Sequence, residues 1–184
     1  MKIKNEIKIA APLDTVWATL DDIPRVARCA PGAELLEQKE DGTCVGRVGV
    51  KLGPVALQFK GTVQFTERDE ATHRVVAKAK GAEEKARGTA SADVVFQLYE
   101  DSGGTKIVVE SDVQLAGFIA QYGRGAALIQ STAQAIMNQF AKNLEADLTG
   151  GEAAPTGDIS LAKVVAQGLW TAGKEAFRKK SSTD

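Results

Sequence analysis

The chain has 184 residues, 43% of them apolar and 26% charged, with 23 Lys and Arg against 24 Asp and Glu for a net charge of −1. That length suits one domain with an appendage and can bury a core, and the near-neutral balance argues against nucleic acid as a partner. A single histidine, His73, and two cysteines without metal or disulfide spacing, Cys29 and Cys44, remove most metal sites and most His-dependent chemistry, and no metal ligand is assigned. The first residues, MKIKNEIKIA, contain no apolar h-region, and no apolar run reaches about 18 residues, so neither a signal peptide nor a conventional transmembrane helix is expected. The default setting is a reduced cytoplasm.

Residues 2 to 10 alternate, with Ile3, Asn5, Ile7 and Ile9 on one face and Lys2, Lys4, Glu6 and Lys8 on the other, which predicts a half-buried strand. Pro12 suits the first position of a helix, Asp14 its first turn, and Leu13, Val16, Trp17 and Leu20 share a face. A second short helix starts at Asp22-Ile23-Pro24 and stops before Ala30-Pro31-Gly32. From Ala33 the period is two. Strands are expected around Leu35, from Cys44 to Leu52, from Val55 to Thr66, across Val75, Ala77 and Ala79, from Ala90 to Leu98 and from Ile107 to Leu115. Glu40-Asp41-Gly42, Gly53-Pro54 and Asp101-Ser102-Gly103-Gly104 read as hairpin turns, and Gly81 to Gly88 as a charged connection. His73 falls in a surface turn.

Gly125 to Leu148 is the longest helical stretch. Ile129, Ala133, Ile136, Phe140, Leu144 and Leu148 recur on one face, Gln130, Gln134, Asn138, Lys142 and Glu145 face water, and Gly150-Gly151 stops the helix. The order predicts an α+β fold, a bent antiparallel sheet of about seven strands around a long C-terminal helix. The inward strand rows mix Phe59, Phe65, Phe96 and Leu115 with small residues at Gly46, Gly61, Ala77, Ala79, Ala90, Ala92 and Ser111. Two readings fit. In one, the small residues leave an apolar ligand pocket lined by these four and by Phe118, Leu128, Ile129, Ala133, Ile136, Met137 and Phe140, with the long helix as one wall. In the other, helix and sheet pack closely across them. Phe118-Ile119-Ala120-Gln121-Tyr122, bracketed by Gly117 and Gly123, reads either as a gate whose Ile119 and Tyr122 join the ligand set, or as a connection that plugs the core.

Three stretches carry a family likeness. Cys29-Ala30-Pro31-Gly32-Ala33, Ala120-Gln121-Tyr122-Gly123-Arg124-Gly125 and Phe140-Ala141-Lys142-Asn143-Leu144-Glu145 resemble the C-x-P-G-A, A-Q-F-G-R-G and F-A-x-N-L-E motifs of the CoxG family, the G subunit of carbon monoxide dehydrogenase, with Tyr122 in place of Phe. The element order resembles the START-like, or SRPBCC, superfamily with its helix-grip fold. The likeness covers residues 1 to about 148. It implies a non-enzymatic accessory protein of a molybdenum hydroxylase of the carbon monoxide dehydrogenase type, associated with recruiting that enzyme to the inner face of the cell membrane and with handling a lipophilic quinone, menaquinone or another, as a bound and non-covalent ligand.

Residues 149–158 read as a flexible linker. Beyond it, residues 159–184 hold an amphipathic basic segment. Leu161, Val165, Leu169, Trp170 and Phe177 supply the apolar side, and Arg178, Lys179 and Lys180 add to Lys163 and Lys174 against Glu175 alone. That pattern suits attachment to an anionic membrane surface; a helix docked on its own domain or on a protein partner is the competing reading. Two other classes compete for the whole chain. A START-like cyclase or hydrolase needs an acid or base in the pocket, and the inward rows offer Ser111 and no carboxylate, so no catalytic residue is assigned. A purely structural membrane tether needs no cavity.

Overall fold

The computed structural model describes residues 1–124 and 126–151. Residues 152–158 of the expected linker, and the basic tail with Leu161, Val165, Leu169, Trp170, Phe177, Arg178, Lys179 and Lys180, lie outside the described residues.

Period-two patterning becomes strands where expected. The order is β1 (Lys2–Ile9), α1 (Leu13–Thr19), α2 (Ile23–Cys29), β2 (Ala33–Gln38), β3 (Cys44–Leu52), β4 (Val55–Asp69), β5 (Arg74–Glu83), β6 (Thr89–Asp101), β7 (Gly104–Ala116), a 3-10 segment (Gly117–Arg124) and α3 (Ala126–Leu148). All seven strands form one antiparallel sheet in the order β1-β7-β6-β5-β4-β3-β2. Asp22 caps α2 by accepting from the Arg25 N–H, and Pro12 stands at the cap of α1, one place before the helical position its fixed φ suggested. At the far end α3 stops where Gly150 takes φ +76°.

The sheet bends along a line of missing side chains. Leu35, Gly46, Gly61, Gly81, Ala90 and Leu115 are successive cross-strand partners from β2 to β7. A Cβ on Gly61 would lie 2.0 Å from the Lys80 carbonyl oxygen, and one on Gly46 2.7 Å from that of Glu34. Backbones approach this closely only where no Cβ intervenes.

The main core joins α1, β1, β6, β7 and α3 through Ile9, Val16, Trp17, Leu98, Ile107 and Leu144. A smaller cluster of Leu52, Leu57 and Ile119 sits beneath the 3-10 segment. At the β4–β5 turn His73 takes φ +52° and sets its ring edge-on to Trp17, whose face also carries the Arg68 guanidinium at 3.9 Å.

The long helix keeps part of the expected face, with Leu144 buried and Phe140 and Leu148 packed on the core. Thr132, Ala141, Asn143 and Leu144 are its buried residues, while Ile129, Ala133, Ile136, Phe140 and Leu148 are half-buried. Gln130, Gln134 and Glu145, expected to face water, also serve the open edge of β1, and Gln130 stays exposed while Gln134 and Glu145 are half-buried. Gln130 and Gln134 donate to the Lys4 and Glu6 carbonyls at 3.3 and 2.8 Å, and the Glu145 carboxylate accepts from the Ala10 N–H at 2.7 Å. An edge strand exposes a row of unpaired backbone groups, and amide side chains at helical spacing satisfy them. Asn138 and Lys142 do remain exposed.

A candidate ligand cavity

A cavity of about 520 Å³ occupies the bent part of the sheet, within the size range of small-molecule sites. Its floor is the small-residue rows, with Gly46, Gly61 and Gly81 at the bend and Ala79, Ala90 and Ala92 beside them. Val48, Val50, Phe59, Val63 and Phe65 supply bulk on β3 and β4, and Leu35 stands on β2. The roof is α2, which turns Ile23, Val26 and Ala27 toward the sheet at helical spacing.

Among the described residues no side chain of α3 lines this space, so the wall expected from the long helix is made by α2 instead. The reason is positional: α2 crosses the small-residue rows, while α3 packs chiefly along β1 at the edge opposite β2 and meets β3, the 3-10 segment and α2 more lightly. Of the described residues expected around the ligand, the structure brings only Phe59 and Phe65 together at the cavity. Phe96, Met137 and Phe140 pack against the main core, and Leu115 and Leu128 against the Leu52–Leu57–Ile119 cluster. Ile129, Ala133 and Ile136 are half-buried on α3 away from the cavity. Ile119 is 1% exposed and plugs the smaller cluster, whereas its neighbour Phe118 is 59% exposed. The Tyr122 side chain lies outside what is described. Sequence reasoning missed Ile23, Val26 and Ala27. Their i, i+3, i+4 spacing was the available signal, obscured because a seven-residue helix shows fewer than two turns of pattern.

One carboxylate does lie on an inward row, contrary to expectation. β5 runs through Gly81 to Glu83, so Glu83 continues the line of Ala77, Ala79 and Gly81 and is 3% exposed. It accepts from the Arg87 guanidinium at 2.6 Å and from the Lys85 and Arg87 backbone N–H groups at 2.9 and 3.2 Å. The Arg87 side chain first, and the backbone donors after it, outweigh desolvation and hold the carboxyl down at about 2. A carboxylate so firmly ionised and so fully occupied is a turn fastener, poorly suited to general acid chemistry. Asp93 and Glu110 stand on the outer face, paired with Lys78 and Lys4.

The Cys29-Ala30-Pro31-Gly32 turn fixes the roof. The Gly32 carbonyl accepts from the Gly49 N–H at 2.8 Å, and a Cβ on Gly32 would meet the Gly49 carbonyl oxygen at 2.7 Å. Cys29 is buried beneath the turn, and burial pushes its thiol up, away from thiolate reactivity. Asn143 of α3 holds the Cys29 carbonyl, and Arg25 of α2 pairs with Asp147 of α3.

A curved antiparallel sheet gripping a long C-terminal helix, with an apolar hollow under a short helix, defines the START-like, helix-grip class. Solved structures agree on the fold. A conserved protein from Geobacillus kaustophilus superposes with a TM-score of 0.69 at 16% identity, over 82% of this chain and 96% of that one. The ZhuI aromatase/cyclase from Streptomyces sp. R1128 gives 0.57 at 17%, over 82% and 98%. TTHA0849 from Thermus thermophilus gives 0.54 at 12%, over 77% and 95%. No curated protein sequence matches the chain. Residues 6–149 match the profile of CoxG, the G subunit of carbon monoxide dehydrogenase, and the chain belongs to that family. Membership supports, in broad terms, an accessory role beside a carbon monoxide dehydrogenase. Among the described residues no helix is long and apolar enough to cross a membrane.

Proposed function

We propose that this protein is a non-enzymatic accessory carrier of a carbon monoxide dehydrogenase-type molybdenum hydroxylase. It binds a lipophilic ligand, a quinone such as menaquinone or a lipid, in the cavity between α2 and the bent sheet. Its tail attaches to the inner face of the cell membrane, so that enzyme and quinone pool are brought together. The observation that carries this reading is the lining: Val, Leu, Ile and Phe side chains over a floor of Gly and Ala. That surface suits a ring and prenyl chain. Two of the charged residues at its border, Glu34 and Arg47, pair with one another at 3.8 Å.

An enzyme of the cyclase type is the alternative, favoured by the fold shared with an aromatase/cyclase. The engagement of Glu83 with Arg87 weighs against it, since the buried inward carboxylate is already committed. The test is to purify the chain from cells, extract it with organic solvent and identify bound lipids by mass spectrometry. Stoichiometric quinone or lipid supports the carrier. An empty protein that also takes up no quinone from quinone-loaded vesicles would defeat it.

A further inference from the structure

The cavity is shut at one end and open at the other. Val50, Phe59 and Ala90 line it and also pack on the buried cluster of Leu52, Leu57 and Ile119, which closes that end. Phe65 lines it six residues further along β4, about 20 Å in an extended strand. Of the four large apolar side chains exposed among the described residues, Phe65, at 42%, is the one in the lining. Ile23 of α2 stands at the same open end, because Arg68, three residues after Phe65, pairs with Asp21, two before Ile23. At the packing density of protein interiors the volume holds about 20 carbon atoms, the content of four prenyl units. Laid from Phe59 to Phe65, those atoms form a single file.

Among the described residues, the side chains turned into this space carry no N–H or O–H. Glu34, Arg47, Thr62, Lys80 and Ser91 border it, but they stand one place off the inward rows. Glu34 is opposite Arg47, and Lys80 is opposite both Thr62 and Ser91, so strand alternation turns all five to the outer face. The Cys44 thiol is directed to the Gly42 carbonyl at 3.7 Å, and the backbone groups of the floor pair strand to strand. Beside the closed end Arg87 is engaged by Glu83, the cross-strand partner of Phe59, and does not line the cavity. A quinone ring has two carbonyl acceptors, and its reduced form has two hydroxyls. Buried here they would give up water for no partner, whereas a hydrocarbon chain has no such bonds to lose.

We propose that the cavity takes the prenyl chain of its ligand end-on and leaves the ring at the mouth, against the exposed side of Phe65 with its oxygens in water. This rests on the carrier reading above and gives it a direction. The protein selects by chain, up to the length the slot accepts, and is indifferent to the ring. The surplus of a longer chain stays outside with the ring. The redox-active part of the ligand is then open to a partner while the chain keeps it bound.

The test titrates the full chain with menadione, which is the ring without a chain, and with menaquinones of one to six prenyl units, reading affinity from the quenching of tryptophan emission. Geranylgeraniol, a four-unit prenyl alcohol without a ring, serves as competitor. Affinity should rise about tenfold or more with each unit up to the fourth and level off beyond it. Menadione should bind weakest, and geranylgeraniol should displace the four-unit menaquinone at comparable concentration. Nuclear Overhauser contacts from the ring protons of that menaquinone should reach Phe65 and Ile23 but not Val50 or Phe59. Ring contacts to Val50 or Phe59, or menadione bound as tightly as the four-unit compound, overturn the orientation and leave the carrier standing. Failure of every probe to bind removes the carrier reading and the orientation with it.

Discussion

Asn143 donates from its side-chain amide to the Cys29 carbonyl over 2.9 Å, deep in the protein, and so ties the last turns of α3 to the end of α2. Its Oδ1 accepts from Gln139, which fixes the amide orientation. Two stretches of family resemblance, 114 residues apart, meet in that bond. Asn143→Ala should cost about 1–3 kcal/mol because a buried carbonyl loses its donor. Asn143→Asp should be worse, since it sets a carboxylate against that carbonyl. Urea unfolding of the three proteins checks the order, and an Asp variant as stable as the parent would contradict the assignment.

Glu83 supplies a pH prediction. Its folded pKa is about 2 against an ordinary 4.5, so the folded state favours the ionised form. The stabilisation is complete above about 4.5 and is lost as pH falls toward 2. Glu83→Gln should therefore lower the Tm clearly at pH 7 and much less at pH 2.5. A Tm difference independent of pH would show that the ion pair is not the source.

The glycine line at the bend can be separated from glycines of ordinary turns. Gly61→Ala drives a Cβ into the Lys80 carbonyl and should cost about 2–3 kcal/mol. Gly53→Ala has open space and only a φ of +59° to tolerate, and should cost about 1 kcal/mol. Equal losses in denaturant titrations would mean that the bend does not depend on close backbone approach.

The cavity position is tested by filling it. Ala79→Phe, on the floor, should abolish uptake of a lipophilic quinone with the fold retained in circular dichroism, whereas Ala133→Phe, on α3, should leave uptake intact. The reverse pattern would return the ligand to the face of the long helix.

The strands in chain order, both short helices and the long one were legible because alternation and helical spacing are local. Two features were not. The glutamines of α3 look like a solvated face until β1 is known to be the sheet edge, a fact set by the β1–β7 pairing and invisible in either segment. Glu83 looked like part of a charged turn because Gly81 to Gly88 is rich in Glu, Lys, Arg and Gly, and the partner that permits its burial is four residues further on. The cavity was half legible. Its small-residue floor stood in the strand rows, but its roof depended on which helix crosses them.

The edge position of β1 also has a consequence for synthesis. Among the described residues its strand partner is β7 alone, with Lys2 opposite Asp112 and Ile9 opposite Thr105, and its outer side is served by Gln130 and Gln134. The β1 segment, once it has left the ribosome, therefore waits for roughly 100 further residues, on the order of 5–20 s at ordinary translation rates. During that interval Ile7 and Ile9 have only the neighbouring α1 residues of their core and lack Ile107, Val109 and Leu144, which leaves this strand open to a holding chaperone.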